Sequence, residues 1–243
     1  MRATLYSLSV SPPGHSARMM LERKGVETKV VDLLPGMHPV YLWARGFRRG
    51  TVPAVRFDNG RRVETSCAIS RALDELVLEQ PLFPADPARR AQVEEAERWG
   101  DVVLQNLPRQ LIRYALANDS ELRTWFAREV AHVPLPSVAA ALNAPVARLM
   151  TRRAGADEAG ARSALATLPS ALDHVDALIA DGTIGGEDPN AADFQIVTSV
   201  RNLMDMEDTA PLASGRPCAS WAEGMMKGYK HLPSVGAIRA LRS

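Results

Sequence analysis

Val52-Pro53-Ala54-Val55-Arg56-Phe57-Asp58-Asn59-Gly60-Arg61-Arg62-Val63 is the stretch on which the fold of this chain turns. Val52 to Phe57 and Arg61 to Val63 favour extended backbone. The Asn59-Gly60 pair between them supplies the residues a tight hairpin turn needs. Working back toward the N-terminus, Ala3 to Leu8 is a short apolar run with β-forming Thr and Tyr, broken by Ser11-Pro12-Pro13-Gly14. His15 to Lys24 carries Ala17, Met20 and Leu21 on one helical face, Gly25 can end that helix, and Glu27 to Leu33 reads as a second strand around Val30-Val31. Pro35, Gly36 and Pro39 precede a short helical stretch around Val40 to Ala44. On the other side of the hairpin, Ser66 can cap a helix with Ile69, Leu73 and Leu76 on one face. The order is β-α-β-(α)-β-β-α. A helix between the first two strands requires them to be parallel, and the hairpin adds an antiparallel pair, so the sheet is mixed.

Beyond residue 80 the strand signals stop. Gln80 to Pro87 holds three prolines and reads as an inter-domain linker. A helical pattern then begins near Ala88 and carries Val93, Ala96, Gly100, Val103, Leu107 and Leu111, with Pro108 expected to kink or end it. Further helices are expected over Glu121 to Val133, Val138 to Arg153 and Glu158 to Ala180, and Asn190 to Phe194 has a capping-box pattern. The expected class is α+β: a mixed four-stranded sheet with helices in residues 1–79, a linker at 80–87, and an all-α helical bundle over 88–243.

The composition narrows the function. The chain has 243 residues, 46% hydrophobic and 23% charged, which excludes collagen-like, coiled-coil and wholly disordered classes. A net charge of +1 gives no global field toward nucleic acid or membrane. The two cysteines, Cys67 and Cys218, are far apart in sequence and argue against a disulfide scaffold, a zinc site or a dithiol enzyme. The first residues lack the apolar run of a signal peptide, so the expectation is a soluble, cytoplasmic protein that neither enters a membrane nor binds nucleic acid.

Four segments together resemble the cytosolic glutathione transferases. They are Leu5-Tyr6-Ser7 with Ser11-Pro12 and the helix ending Leu21-Glu22-Arg23-Lys24-Gly25, then Thr51-Val52-Pro53-Ala54-Val55, then Glu64-Thr65-Ser66-Cys67-Ala68-Ile69, and finally Asn190 to Phe194. In order and at suitable spacing, they imply a thioredoxin-like N-terminal domain followed by an all-helical C-terminal domain.

The resemblance implies roles that the residues alone leave open. By residue type Pro53 is an ordinary trans proline opening an edge strand. The resemblance implies a cis bond that turns the Val52 N–H and C=O toward the cysteinyl part of glutathione. Ser66 caps a helix and, by resemblance, also receives the γ-glutamyl carboxylate at that helix N-terminus. Relatives often carry Glu or Gln just before this serine to hold the ligand ammonium. Here Thr65 stands there and Glu64 lies one residue earlier, so either Glu64 reaches in or the contact is absent and binding is weak or altered. Ser11 occupies the place of the activating hydroxyl in serine-type relatives, where it would stabilise a thiolate; as a bare residue it is equally a turn serine capping the next helix. Ser9 is a second hydroxyl nearby, and Tyr6 reads as a packed strand residue. Because Ser rather than Cys stands at position 11, disulfide reduction of the glutaredoxin or omega type is disfavoured.

Cys67 reads as a small buried side chain, with a reactive thiol as the alternative, and His15 as a first-turn or surface residue rather than a metal ligand. Residues 1–80 hold twelve Lys and Arg against eight Asp and Glu. One of Arg45, Arg48 and Arg49 could take a glycyl carboxylate, although a solvated basic loop explains them as well. Arg109, Arg113 and Tyr114 fall by analogy on the segment that borders an electrophile pocket. Asp193 is read as a folding residue that caps a buried helix with Asn190. The implied function is a glutathione-using enzyme of detoxification, with no metal, that joins a thiolate to a small electrophile or isomerises it, acting as a homodimer. The alternatives are a non-catalytic ligand-binding member of the fold, or a member using another low-molecular-weight thiol.

Overall fold

The computed structural model describes residues 1–229 and 231–241, apart from the side chain of Met150. Two compact units make up the chain, one of Met1–Val102 with Leu178–Ser199 and the other of Val103–Ala177 with Val200–Ser243.

The first unit runs β1 (Arg2–Ser7), α1 (Pro12–Arg23), β2 (Glu27–Asp32), α2 (His38–Trp43), β3 (Ala54–Phe57), β4 (Arg62–Glu64), α3 (Ser66–Leu76) and α4 (Pro87–Trp99). The sheet order is β2-β1-β3-β4, with β1 and β2 parallel and the other pairs antiparallel. This is the mixed four-stranded, thioredoxin-like sheet expected. Its alternation sorts the core. Leu5 pairs with Val55 and Tyr6 with Ala54, so successive residues point to opposite faces. Among the largest fully buried side chains are Leu5, Phe57, Met20, Leu21, Ile69 and Leu73. Tyr6, Leu33, Leu42, Phe47 and Ala54 form a separate cluster, in which the Tyr6 ring meets Phe47 edge-on at 5.6 Å. Tyr6 is thus the packed strand residue expected.

The hairpin is shorter than its sequence suggests. Val52 and Pro53 lie outside β3, since Pro53 has no N–H to give a ladder and its bond to Val52 is cis. Thr65, not Ser66, is the N-cap of α3. Its hydroxyl accepts from the Ala68 amide at 3.3 Å, and Ser66 becomes the first helical residue. Residues 77–86 contain no regular element, but they do not hang free. The Asp74 carboxylate accepts from the amides of Leu82 (2.8 Å) and Phe83 (3.1 Å), and buried Lys24 donates to the Val77 and Glu79 carbonyls at 2.9 and 3.0 Å. Asp74 and Lys24 also pair at 2.6 Å.

The sheet-bearing unit extends past the expected boundary at residue 79 because α4 packs onto α3. Buried Glu97 accepts from Ser70 Oγ at 2.6 Å and pairs with Arg71. The helix break expected at Pro108 comes earlier, as a turn of π-helix over Gly100–Leu104. There a Cβ on residue 100 would come within 2.8 Å of Ile196 Cγ1, so only glycine permits the approach. Pro108 instead occupies the first turn of the next helix, where no intrahelical partner for its nitrogen is needed.

The second unit holds α5 (Asn106–Asn118), α6 (Ser120–Glu129), α7 (Pro136–Arg153) and nearly all of α8 (Glu158–Ala180). After α9 (Ala191–Met204), which begins in the first unit, come α10 (Ala210–Ala213), α11 (Pro217–Met225) and α12 (Gly236–Arg239). Among the described residues it contains no strand, only an isolated bridge between Met206 and Leu232. Arg216 joins α11 to α8 through Asp173 and Asp176. No helix among the described residues is long and apolar enough to cross a membrane.

The capping box at α9 forms as the sequence predicts. Asp193, 1% exposed, accepts from the amides of Gly185 (2.7 Å) and Asn190 (2.8 Å), while Asn190 Oδ1 accepts from Ala192 (2.9 Å). Asp193→Ala removes two charge-assisted bonds and strands both amides, a loss of about 3 kcal/mol. Urea denaturation should show this as a lowered midpoint with an unchanged slope.

Candidate functional site

The site segments meet at one end of the sheet. Tyr6 stands opposite Ala54, and Ala54 opposite Glu64, so the end of β1, the start of β3 and the end of β4 are neighbours. The chain leaving β1 reaches Ser11, the chain entering β3 carries Val52 and Pro53, and the chain leaving β4 carries Thr65 and Ser66.

Ser11 is the N-cap of α1. Its Oγ accepts from the Gly14 amide at 3.3 Å, which leaves the hydroxyl proton for another acceptor. The turn before it is closed by the Ser11 amide on the Leu8 carbonyl (2.9 Å) and by a His15 Nε2 contact to the Ser9 carbonyl (2.8 Å). Burial lowers the His15 pKa against the opposing pull of that carbonyl, so the ring is neutral near pH 7. Gly14 lies against β1 so closely that a Cβ there would stand 1.9 Å from Ser7 Oγ. This crowding fixes where α1 starts and so where the Ser11 hydroxyl sits.

The Val52-Pro53 bond is cis, and among the described residues neither the N–H nor the C=O of Val52 joins a backbone hydrogen bond. The Pro53 carbonyl accepts from the Thr65 amide at 3.1 Å and ties this segment to the head of α3. Thr65 has φ +79°, a conformation rare for a β-branched residue and found where surrounding structure imposes it. Ser66 is 1% exposed, and its hydroxyl makes no geometrically sound hydrogen bond with the described residues, although the Cys67 thiol lies beside it. The first amides of α3 have the orientation and dipole that suit an anion.

Glu64 does different work. Its carboxylate accepts from the amides of Arg48 (2.9 Å), Arg49 (3.0 and 3.1 Å) and Thr51 (3.5 Å), gathering the loop before Val52. Nothing in the sequence pairs Glu64 with this loop, because the partners are backbone amides. The side chains of Arg48 and Arg49 are exposed, and the Arg45 guanidinium stacks 3.4 Å over the Tyr41 ring.

Beside the head of α3 lies an open cavity of about 640 Å³ lined by Thr65, Cys67, Arg71, Glu97 and Asp101, among others. Burial, together with the charges of Glu97 and Asp101, pushes the Cys67 thiol up to about 12. Burial likewise raises Glu97, against the pull of Ser70 and Arg71. Arg109, Arg113 and Tyr114 belong to the second unit, all on α5, with the two arginines one turn apart. Burial and the nearby Glu158 raise the Tyr114 phenol, which stays protonated at neutral pH. Among the described residues no group of three or more His, Cys, Asp or Glu is gathered as a metal would require.

Residues 5–81 match the family model of the glutathione S-transferase N-terminal domain. Among solved structures, the β-etherase LigF from Sphingobium sp. strain SYK-6 is 17% identical, with a TM-score of 0.69 over 100% of this chain and 99% of that one. A glutathione S-transferase from Rhodospirillum rubrum F11 is 18% identical, with a TM-score of 0.62 over 98% of this chain and 91% of that one. A glutathione transferase family member from Pseudomonas fluorescens Pf-5, with bound glutathione, is 19% identical, with a TM-score of 0.55 over 96% and 100%. No curated protein matches the chain in sequence. The structural likenesses establish a common fold along the chain. The glutathione S-transferase N-terminal domain is assigned to residues 5–81, the sheet-bearing part of the chain.

A thiol held near 12 is ionised about a thousandfold less at pH 8 than one at its ordinary 9.0. Alkylation of Cys67 by iodoacetamide, followed by peptide mass spectrometry, should therefore be slow at pH 8 and still rising at pH 10. A rate that levels near pH 7 would mean an activated thiolate.

Proposed function

We propose that the chain is a glutathione-dependent transferase in which the Ser11 hydroxyl hydrogen-bonds the glutathione thiolate and holds it for attack on a small electrophile. The convergence of Ser11, the Val52 backbone, unpaired among the described residues, and the head of α3 at one end of the sheet supports this reading best. Val52 N–H and C=O would pair with the cysteinyl residue as one added rung, and the Ser66 amide and hydroxyl would take the γ-glutamyl carboxylate. The thiol proton leaves to solvent, sulfur forms a bond to the electrophilic carbon, and the leaving group departs with its bonding pair. One structural neighbour is a β-etherase, which makes ethers the first electrophiles to try. Arg109, Arg113 and Tyr114 are proposed to border the electrophile. By the same reading the protein is cytoplasmic, acts in detoxification and forms a homodimer through the N-terminal domain of one copy and the helical domain of its partner.

The engagement of Glu64 by three backbone amides favours a second reading of the ligand. With Glu64 so occupied and Thr65 in the acid-or-amide place, the ligand ammonium has no acid from this segment. That favours weak glutathione binding, another low-molecular-weight thiol, or a binding role without turnover.

Calorimetric titration with reduced glutathione to millimolar concentration separates these. Saturable one-site heat supports the transferase reading, whereas no heat and no thermal stabilisation leave the other thiol or the non-catalytic role. Ser11→Ala removes the hydroxyl donor, and thermal denaturation reports separately the cost of losing the cap on the Gly14 amide. Loss of one charge-assisted hydrogen bond of about 1.5–3 kcal/mol should lower turnover about ten- to a hundredfold with binding intact. The rate profile should also shift to higher pH, and unchanged turnover would remove Ser11 from the chemistry. Thr65→Glu should tighten glutathione about tenfold, the scale of one such ion-pair hydrogen bond.

A further inference from the structure

One face of the sheet carries a row of cations without acidic partners among the described residues. The register aligns Lys29 with Thr4, Thr4 with Arg56, and Arg56 with Arg62, so each strand gives one residue to a line across the sheet. Directly paired residues share a face. Two residues along, and so on that same face, Tyr6 and Ala54 pack with Leu42 of α2. The helix covers only that end. Lys29, Arg56 and Arg62 are exposed, and Thr4 is half-buried between the first two.

Left alone, the row works against the sheet. Arg56 and Arg62 stand opposite one another in a ladder of only three pairs, where like charges directly across oppose pairing. Arg62 donates its Nε to the Arg45 carbonyl at 2.9 Å, whereas the side chains of Lys29 and Arg56 make no ion pair or hydrogen bond with the described residues. Acidic residues come two positions further along. Glu27 is paired with Arg2, and the Asp58 carboxylate accepts from the Arg2 amide at 2.8 Å. These two acids flank a cation of their own, so the row itself stays uncompensated. An open cavity of about 420 Å³ lies over this face, lined by Arg2, Thr4, Glu27, Lys29, Arg56 and Asp58 among others.

Lys29 and Arg56 sit one strand to either side of Thr4, so their Cα atoms are about 10 Å apart. Cations on two sides and a hydroxyl beneath suit a group whose oxygens point in several directions. A tetrahedral phosphate has such oxygens, and Lys and Arg both bind it, whereas a planar carboxylate offers its two oxygens to one side. We propose that Lys29, Thr4 and Arg56 bind a phosphate dianion, free or as the head of a small monoester, with Arg62 at the outer edge. The bound charge offsets the repulsion between Arg56 and Arg62. This site is independent of the transferase reading, because it lies beyond the Tyr6–Ala54–Glu64 line from Val52 and uses none of the residues assigned to the thiol.

Amide NMR shifts of the full chain, titrated with inorganic phosphate and with phenyl phosphate at constant ionic strength, test it. The amides of Thr4, Lys29 and Arg56 should shift together and saturate, with a Kd on the order of 1 mM. Tighter binding of phenyl phosphate assigns the site to a monoester, and tighter binding of inorganic phosphate to the free ion. Arg56→Gln and Lys29→Gln change exposed side chains and should each weaken binding about tenfold, the scale of one charge-assisted hydrogen bond. Arg128→Gln removes the same charge from the second unit and should bind as the parent does. Parent-like affinity in Arg56→Gln overturns the proposal, as does equal weakening in Arg128→Gln or acetate binding as tightly as phosphate. Shifts confined to the first turn of α3, or none by about 20 mM phosphate, overturn it as well.

Discussion

Everything in the candidate site depends on β3 pairing antiparallel with β1 on one side and β4 on the other. Tyr6, Ala54 and Glu64 stand in line across the sheet. Two strand ends and one strand start are thereby forced to a common end of the sheet, and each continues within a few residues into a segment that carries the site's polar groups. The same register buries Leu5 and Val55 together. A slip of one residue would expose that pair, so the free energy that stabilises the core also holds the site geometry. Site and core are therefore one constraint rather than two.

Within that frame the acidic residue nearest the site is a structural one. Glu64 satisfies amides of the loop before Val52, and that loop then delivers Val52 with its own backbone groups unpaired among the described residues. A carboxylate accepting several backbone N–H bonds is costly to withdraw, because each stranded amide would lose its partner. Thr65 next to it keeps φ +79° because the Pro53 carbonyl holds its amide while its own hydroxyl caps Ala68. Strain of this kind survives only where neighbours over-determine the backbone. The head of α3 is thus set by two protein contacts before any ligand arrives.

Much of the fold was legible because its signals are local. The Asn59-Gly60 turn, the apolar runs of β1 and β2 and the Asn190–Asp193 cap are each decided by residues a few positions apart, and each formed. The cap of α3 was not legible, since Thr65 and Ser66 are adjacent hydroxyl residues and only the backbone conformation chooses between them. The π-helical turn at Gly100 was hidden for another reason. It lies where residue 100 approaches Ile196, 96 positions further along the chain, so closely that a Cβ would stand 2.8 Å from its Cγ1. Glu64 was placed near the right region but with the wrong kind of partner in view, because residue types carry no record of which backbone amides converge on a carboxylate. The cis bond at Pro53 was legible only through family resemblance.

The way α3 is anchored bears on what its head can do. At its far end Asp74 is held by buried Lys24 and by the Leu82 and Phe83 amides, and at its middle Ser70 and Arg71 bind buried Glu97 of α4. These contacts lie away from the first turn, and among the described residues no carboxylate accepts from the amides of Ser66 and Cys67. A helix terminus that had to be ordered by its ligand would lose that ordering entropy from the affinity. Here the ordering is complete in advance, through buried charges that serve position and not chemistry. That arrangement explains why titratable groups with shifted pKa values, Glu97 and Cys67, cluster beside the site without being candidates for its reacting atoms.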